Sequence, residues 1–174
     1  MVSKKIIIPI SLILLLILLQ PKKTSDLDPV NEAKIKSLHP KIREAARKFI
    51  NDAADQGIIL RITSGYRTYA EQDKLYAQGR TAPGAIVTRA KGGYSNHNFA
   101  LAFDVVPLLN GQPNWNSTEW NKIGQIGKNN GFSWGGDWSG FVDKPHFQNM
   151  FGYSLAQLRQ KVSNGDMTDN FVNL

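Results

Sequence analysis

The chain has 174 residues, enough for one domain with a sizeable core, and its 41% hydrophobic and 10% aromatic content is globular, not disordered. It has no cysteine, which excludes disulfides, thiolate metal ligands and a cysteine nucleophile, so any metal must be held by histidine and carboxylate. The formal charge of +7 falls to +3, 17 basic against 14 acidic residues, once Lys4, Lys5, Lys22 and Lys23 are set aside as flanks of an apolar run, and a nucleic-acid partner is not expected.

Residues 1–23 read as an export segment. Lys4 and Lys5 precede an apolar run from Ile6 to Leu19, as in a signal peptide. No small-residue cleavage site follows, and the run is short of the roughly 20 residues of a spanning helix. A cleaved signal peptide and an uncleaved signal-anchor stand side by side; either places the chain outside the cytoplasm, with membrane contact only through this segment. Residues 24–36 are polar and read as a linker. The domain proper is expected over residues 37–163, and residues 164–174 as a polar, frayed tail.

Within the domain, Ile42, Ala45, Ala46, Phe49, Ile50 and Ala53 recur at helical spacing, which predicts a helix from Lys41 to Gln56 stopped by Gly57. His39, at its start, reads as a capping or half-buried structural histidine. The β-branched run 58–63 predicts a buried strand. It empties into the turn Ser64-Gly65-Tyr66-Arg67, where a cation beyond a strand end can project into a cleft. A short helix is expected over Tyr69 to Gln78, with Leu75 and Tyr76 inward, then a long Gly/Pro-rich loop from Gly79 to Gly93. Residues 101–106 predict a central strand carrying Asp104. His97 lies seven residues earlier, an odd separation that would put the two side chains on opposite faces of one strand, so His97 is expected on a turn folding back.

Leu109 to Asn116 reads as a turn-rich excursion. A helix from Trp120 to Lys128 is expected behind a Ser117 N-cap, with Asn130-Gly131 as its stop. Trp134 and Trp138, in an aromatic and glycine-rich stretch, serve either as core packing or as the wall of a substrate groove. Residues 143–148 predict a strand end broken by Pro145, and Ser154 to Val162 a last helix. No phosphate loop and no G-x-S-x-G elbow is present, so neither nucleotide binding nor serine hydrolysis has support.

Two of the three histidines thus sit near carboxylates, His97 with Asp104 and His146 with Asp143. A catalytic zinc takes three protein ligands, commonly imidazole and carboxylate, and keeps a fourth position for water. A second carboxylate must then act as general base. Spacing alone leaves open which aspartate is ligand and which is base.

The ordered motifs carry a resemblance. Ser95-x-His97-x-x-Ala100-x-Ala102-x-Asp104 is similar to the S-x-H-x-x-G-x-A-x-D signature of zinc D,D-/L,D-peptidases that cut peptidoglycan stem peptides, the M15-type enzymes of the Hedgehog/D-Ala-D-Ala peptidase fold. Ser64-Gly65-Tyr66-Arg67 resembles their S-G-[YF]-R motif and Asp143-x-x-His146 their [DE]-x-x-H. The three together span residues 58 to 148. The resemblance implies His97, Asp104 and His146 as ligands of one Zn²⁺, Asp143 as general base, Arg67 as the cation for substrate or transition state, and Ser95 as a substrate contact. It also implies the fold class: α+β, a small mostly antiparallel sheet flanked by helices, with zinc in a surface cleft, in a protein expected to be a monomer.

Gly79-Arg80-Thr81-x-Pro83-Gly84 and Asp at position 143 look closest to the L-alanyl-D-glutamate endopeptidases of phage endolysins and bacilli. The expected reaction is therefore hydrolysis of L-Ala–D-Glu in stem peptides. The alternatives are a D-Ala-D-Ala carboxypeptidase and a non-catalytic cell-wall-binding module of the same fold, which would have no use for Asp143. The sequence departs from the signature at Ala100, where glycine is usual. A positive φ at that point would set a methyl group in the turn that holds His97.

Overall fold

The structure, a computed structural model, describes residues 28–174, so the export segment and the first residues of the expected linker lie outside it. Helices α1 (Pro29–Lys36) and α2 (Pro40–Asp55) lead into β1 (Leu60–Ser64) and α3 (Tyr69–Ala77). After the Gly79–Gly93 loop, a 3₁₀ turn (Asn96–Phe99) feeds β2 (Ala102–Leu109). Then come β3 (Gln112–Pro113), α4 (Trp120–Asn129), β4 (Ser133–Trp134), a 3₁₀ turn (Gly135–Asp137), β5 (His146–Gln148), α5 (Leu155–Ser163) and the pair β6 (Met167–Thr168) and β7 (Phe171–Val172). The sheet runs β1-β2-β5-β4 with β3 paired to β2, and every strand pair is antiparallel, the α+β class expected.

Strand alternation divides the residues of β2 and β5 between two jobs. Phe103 and Phe147 oppose one another and are fully buried with Phe49 of α2, whose ring lies 4.7 Å from that of Phe147. The next pair in register is Asp104 and His146, on the other face. One cross-strand step therefore separates the hydrophobic core from the polar site. Helix α4 closes against the core through Gly127, where a Cβ would lie 2.2 Å from the Phe147 ring, so only glycine permits that approach.

Two segments depart from expectation. Residues 29–36 are helix, not linker: Asp28 accepts from the Val30 amide, Pro29 starts the first turn and Ile35 is fully buried. Asn31 supplies the reason a hydrophobic pattern could not show it. Its side-chain amide donates to Leu60 O (2.9 Å) and accepts from Ile62 N (2.7 Å), so it serves as a surrogate strand on the free edge of β1. At the other end, residues 164–174 are not a frayed tail. Asp169 and Asn170 both take positive φ, turning the chain into the β6–β7 hairpin, and Val172 is buried.

Smaller differences follow local chemistry. Strand β5 starts at His146, after Pro145, and not at Asp143. Ser117 opens the turn before α4, accepting from Glu119 N, while Glu119 holds the N-cap position. In α3 the buried residue is Gln72, whereas Leu75 and Tyr76 are half-buried. Among the described residues, no helix is long and apolar enough to cross a membrane.

Candidate active site

Antiparallel register sets Asp104 opposite His146, with His146 Nδ1 3.2 Å from Asp104 Oδ1. His97 arrives from the 3₁₀ turn, as the odd spacing required, and its Nε2 stands 3.3 Å from Asp104 Oδ1. The turn is folded back by Ala100, which is buried and left-handed at φ 59. A sharp register shift between Ile62 and Ser64 bends the end of β1 and brings Gly65 beneath His97.

Hydrogen bonds fix which nitrogen of each ring faces the site. His97 Nδ1 is 2.8 Å from Gly65 O, an acceptor only, so Nδ1 carries the proton and Nε2 presents a lone pair. His146 Nε2 lies 2.8 Å from Gln148 Oε1, which also accepts from Asn96 Nδ2, so His146 Nδ1 presents the other lone pair. The two lone-pair nitrogens are 3.3 Å apart around one carboxylate oxygen. Imidazoles whose outer N–H groups are held by oxygen, with inner nitrogens converging on an acid, are an arrangement that could hold a metal ion. His97, Asp104 and His146 form the one such group of three among the described residues, and Asp143 is outside it.

With no cation among them, the same side chains compete for protons. Burial raises the Asp104 carboxyl, but His97 and His146 outweigh it and hold the group well below the usual aspartate range. For His146, burial disfavours the charged ring, yet its contact with Asp104 pushes the pKa up. Asp143 goes the other way, raised by burial and by the neighbouring Asp104 charge. Its backbone is fastened beside the site: Asp143 N donates to Gly135 O (2.9 Å) and His146 N to Asp143 O (3.2 Å). Gly135 is needed there, because a Cβ would sit 2.4 Å from Asp143 O.

Arg67 is tightly engaged. Its Nε donates to Ser64 Oγ (3.0 Å), Nη1 to Gln72 Oε1 (2.8 Å) and Nη2 to Asp104 Oδ2 (3.0 Å). It therefore grips the carboxylate oxygen that the histidines do not face. Gln72, fully buried, is a residue the sequence reading missed. Besides holding Arg67, its amide donates to Ala90 O (2.9 Å) and Thr88 Oγ1 (3.2 Å), tying the Gly79–Gly93 loop to the site. Gln148, which orients His146, was missed as well. The signal for both was a polar residue at a position that helix or strand periodicity turns inward.

Around this centre lies a groove of about 660 Å³. Ser95, Arg67 and Asp143 line it with the three-residue group, and Arg89, Trp115, Trp138 and Phe141 form part of its rim. The two tryptophans left open by the sequence divide between the two jobs. Trp134 is core, stacked on Phe147 with its Nε1 donating to Lys144 O, while Trp138 is groove wall, its ring 5.0 Å from that of His146.

The sequence profile of the D-alanyl-D-alanine carboxypeptidase family matches residues 88–149, which hold the His97, Asp104 and His146 positions. The peptidoglycan L-alanyl-D-glutamate endopeptidase CwlK of Bacillus subtilis is 41% identical over 121 residues, covering 64% of this chain and 72% of CwlK. The chain belongs to the M15 peptidase family. The L-alanyl-D-glutamate peptidase of Listeria phage A118 is 34% identical over 125 residues, covering 70% of this chain and 41% of the phage protein. The fold is similar to that of the Serratia marcescens L-Ala D-Glu endopeptidase ChiX, which superposes with a TM-score of 0.54 at 20% identity, over 74% of this chain and 96% of ChiX.

Proposed function

We propose that this protein is a zinc peptidase that hydrolyses the L-Ala–D-Glu bond of peptidoglycan stem peptides outside the cytoplasm, acting as a monomer. The observation that carries the reading is the convergence of His97 Nε2, His146 Nδ1 and Asp104 Oδ1 within 3.3 Å. Two nitrogens and one oxygen in that arrangement suit Zn²⁺ and leave room for a water. The two L-alanyl-D-glutamate peptidases among its relatives support this choice of bond over D-Ala-D-Ala.

His97, Asp104 and His146 would hold one zinc ion, which when bound lowers the pKa of its water toward about 7 and polarises the scissile carbonyl. Gly65 O and Gln148 Oε1 keep the two rings in the tautomers this requires, and Arg67 keeps Asp104 turned toward them. Asp143, placed in the groove without joining the three-residue group, takes the proton of the attacking water and hands it to the departing D-Glu nitrogen. Arg67, which lines the groove and keeps N–H groups beyond those given to Ser64, Gln72 and Asp104, would stabilise charge developing on the carbonyl oxygen. Ser95 and Trp138 line the groove as substrate contacts.

The test is incubation of the purified, zinc-loaded full-length protein with a defined disaccharide-pentapeptide, followed by mass identification of products. Disaccharide bearing L-Ala, with a peptide beginning at D-Glu, is the expected outcome. Loss of the terminal D-Ala alone would turn the reading to a carboxypeptidase, and no product from the zinc-loaded protein would leave only a binding module. Asp143→Asn should retain zinc and lose at least about 100-fold in kcat; an active variant overturns the assignment of the base.

A further inference from the structure

Two arginines line the groove, and they are not equivalent. Arg67 is half-buried and its charge is answered by Asp104 at 3.0 Å, with Ser64 and Gln72 taking two further N–H groups. Arg89 is exposed, and among the described residues no carboxylate pairs with it. Its guanidinium instead rests 5.4 Å from the centroid of Phe141, which also lines the groove. A cation lining a groove without a paired carboxylate keeps its fork of donors available for a planar anion.

The backbone that presents Arg89 is fixed on both sides. Gln72 Nε2 donates to Ala90 O and to Thr88 Oγ1, Ala90 N donates to Thr88 Oγ1 (3.2 Å), and Arg80 Nη2 donates to Thr88 O (3.1 Å). Gly92 N is in turn held by Asp73 Oδ1 (2.7 Å). The same Gln72 holds Arg67 through its oxygen, so one buried amide sets the spacing between the three-residue group and the loop carrying Arg89. A surface loop of no consequence has no need of a fully buried tether to the centre of the site.

The substrate proposed above brings a matching anion. D-Glu in the stem is joined to the following residue through its side-chain carboxyl, so its α-carboxylate is free and sits two bonds from the scissile nitrogen. We propose that Arg89 binds this α-carboxylate and thereby selects D-Glu over its α-amidated form. The inference rests on the endopeptidase reading and adds to it a residue outside the three motifs.

Steady-state cleavage of two muropeptides by the zinc-loaded full-length protein tests it, one carrying D-Glu and the other D-isoglutamine at that position. The wild-type protein should favour the free carboxylate by roughly tenfold or more in kcat/KM, mainly through KM, as for one charge-assisted hydrogen-bonded pair at a partly exposed site. Arg89→Gln should lower kcat/KM for the D-Glu substrate alone and erase the preference, and Arg89→Lys should recover part of it. An unchanged melting temperature for both variants confirms that they fold. Equal cleavage of both substrates by the wild type, or an unchanged preference in Arg89→Gln, overturns the role of Arg89 while leaving the endopeptidase reading standing. A wild-type protein that cuts neither muropeptide removes the reading and this assignment together.

Discussion

Ala100 shows how closely one backbone torsion and the site are joined. The turn that presents His97 ends there, with the Ala100 N–H donating back to His97 O and the Ala100 O accepting from His39 N. A non-glycine residue in the left-handed region costs about 1–2 kcal/mol. Replacing it by glycine removes that strain, but it also exposes the loss of a buried methyl group, about 0.8 kcal/mol, and loosens the unfolded chain by about 0.4–1 kcal/mol. These effects nearly cancel. Ala100→Gly should therefore melt within about 4 °C of the parent, whereas Ala100→Val, branched and overpacked at a buried left-handed position, should lose about 3 kcal/mol and about 6–12 °C. Thermal unfolding of the two variants checks this; a harmless valine would mean that the turn is not held left-handed. That the signature's glycine is alanine here was readable from the sequence. That the position needs positive φ was not, because the requirement comes from chain reversal between His97 and the central strand.

At the scale of elements, the helices and strands with an apolar period were legible: α2, α4, α5, β1 and β2 all lie near their expected bounds. Elements held by polar atoms were not, since hydrophobic periodicity has no way to register Asn31 pairing with an edge strand or the Asp169-Asn170 turn. His39 links the two kinds. Its Nδ1 accepts from Lys41 N at the start of α2, and its Nε2–H donates to Val172 O in β7 at 3.0 Å, beside the Phe171 ring. Burial, with Lys41 and Arg43 nearby, pushes its pKa below the ordinary 6.5 despite the bond to Val172. The unfolded chain then binds this proton first as pH falls. The stability His39 contributes as a neutral ring is complete above about pH 6.5 and is lost as pH falls from there through the folded value. His39→Asn keeps a capping oxygen and removes the titration. Urea unfolding between pH 7 and 5 should show wild-type stability falling more steeply than the variant's, by at most about 1.4 kcal/mol per pH unit. Parallel slopes would mean that His39 is not held neutral.

For the whole molecule, the site is where elements distant in sequence meet, and its occupancy should be felt throughout the fold. His97 comes from a turn, Asp104 from the central strand and His146 from the strand beside it, while Arg67 and Gln72 couple that group to the end of β1, to α3 and to the loop carrying Arg89. Two imidazole lone pairs and a carboxylate oxygen packed within 3.3 Å repel one another unless a cation or a proton lies among them. An ion bound to the folded chain alone stabilises it by mass action, about 2.7 kcal/mol at a free concentration 100 times Kd. A chelator should therefore lower the melting temperature of the purified protein, and graded zinc should restore it by about 5–11 °C at that excess, since each kcal/mol moves a domain of this size by about 2–4 °C. His97→Ala should melt at one temperature with and without zinc, because a site reduced to one imidazole and one carboxylate loses most of its affinity. Asp143→Asn should keep the full zinc response, since the proposed base is not a ligand. A wild-type melting temperature indifferent to both chelator and zinc would show that the convergence of these three side chains serves the fold alone.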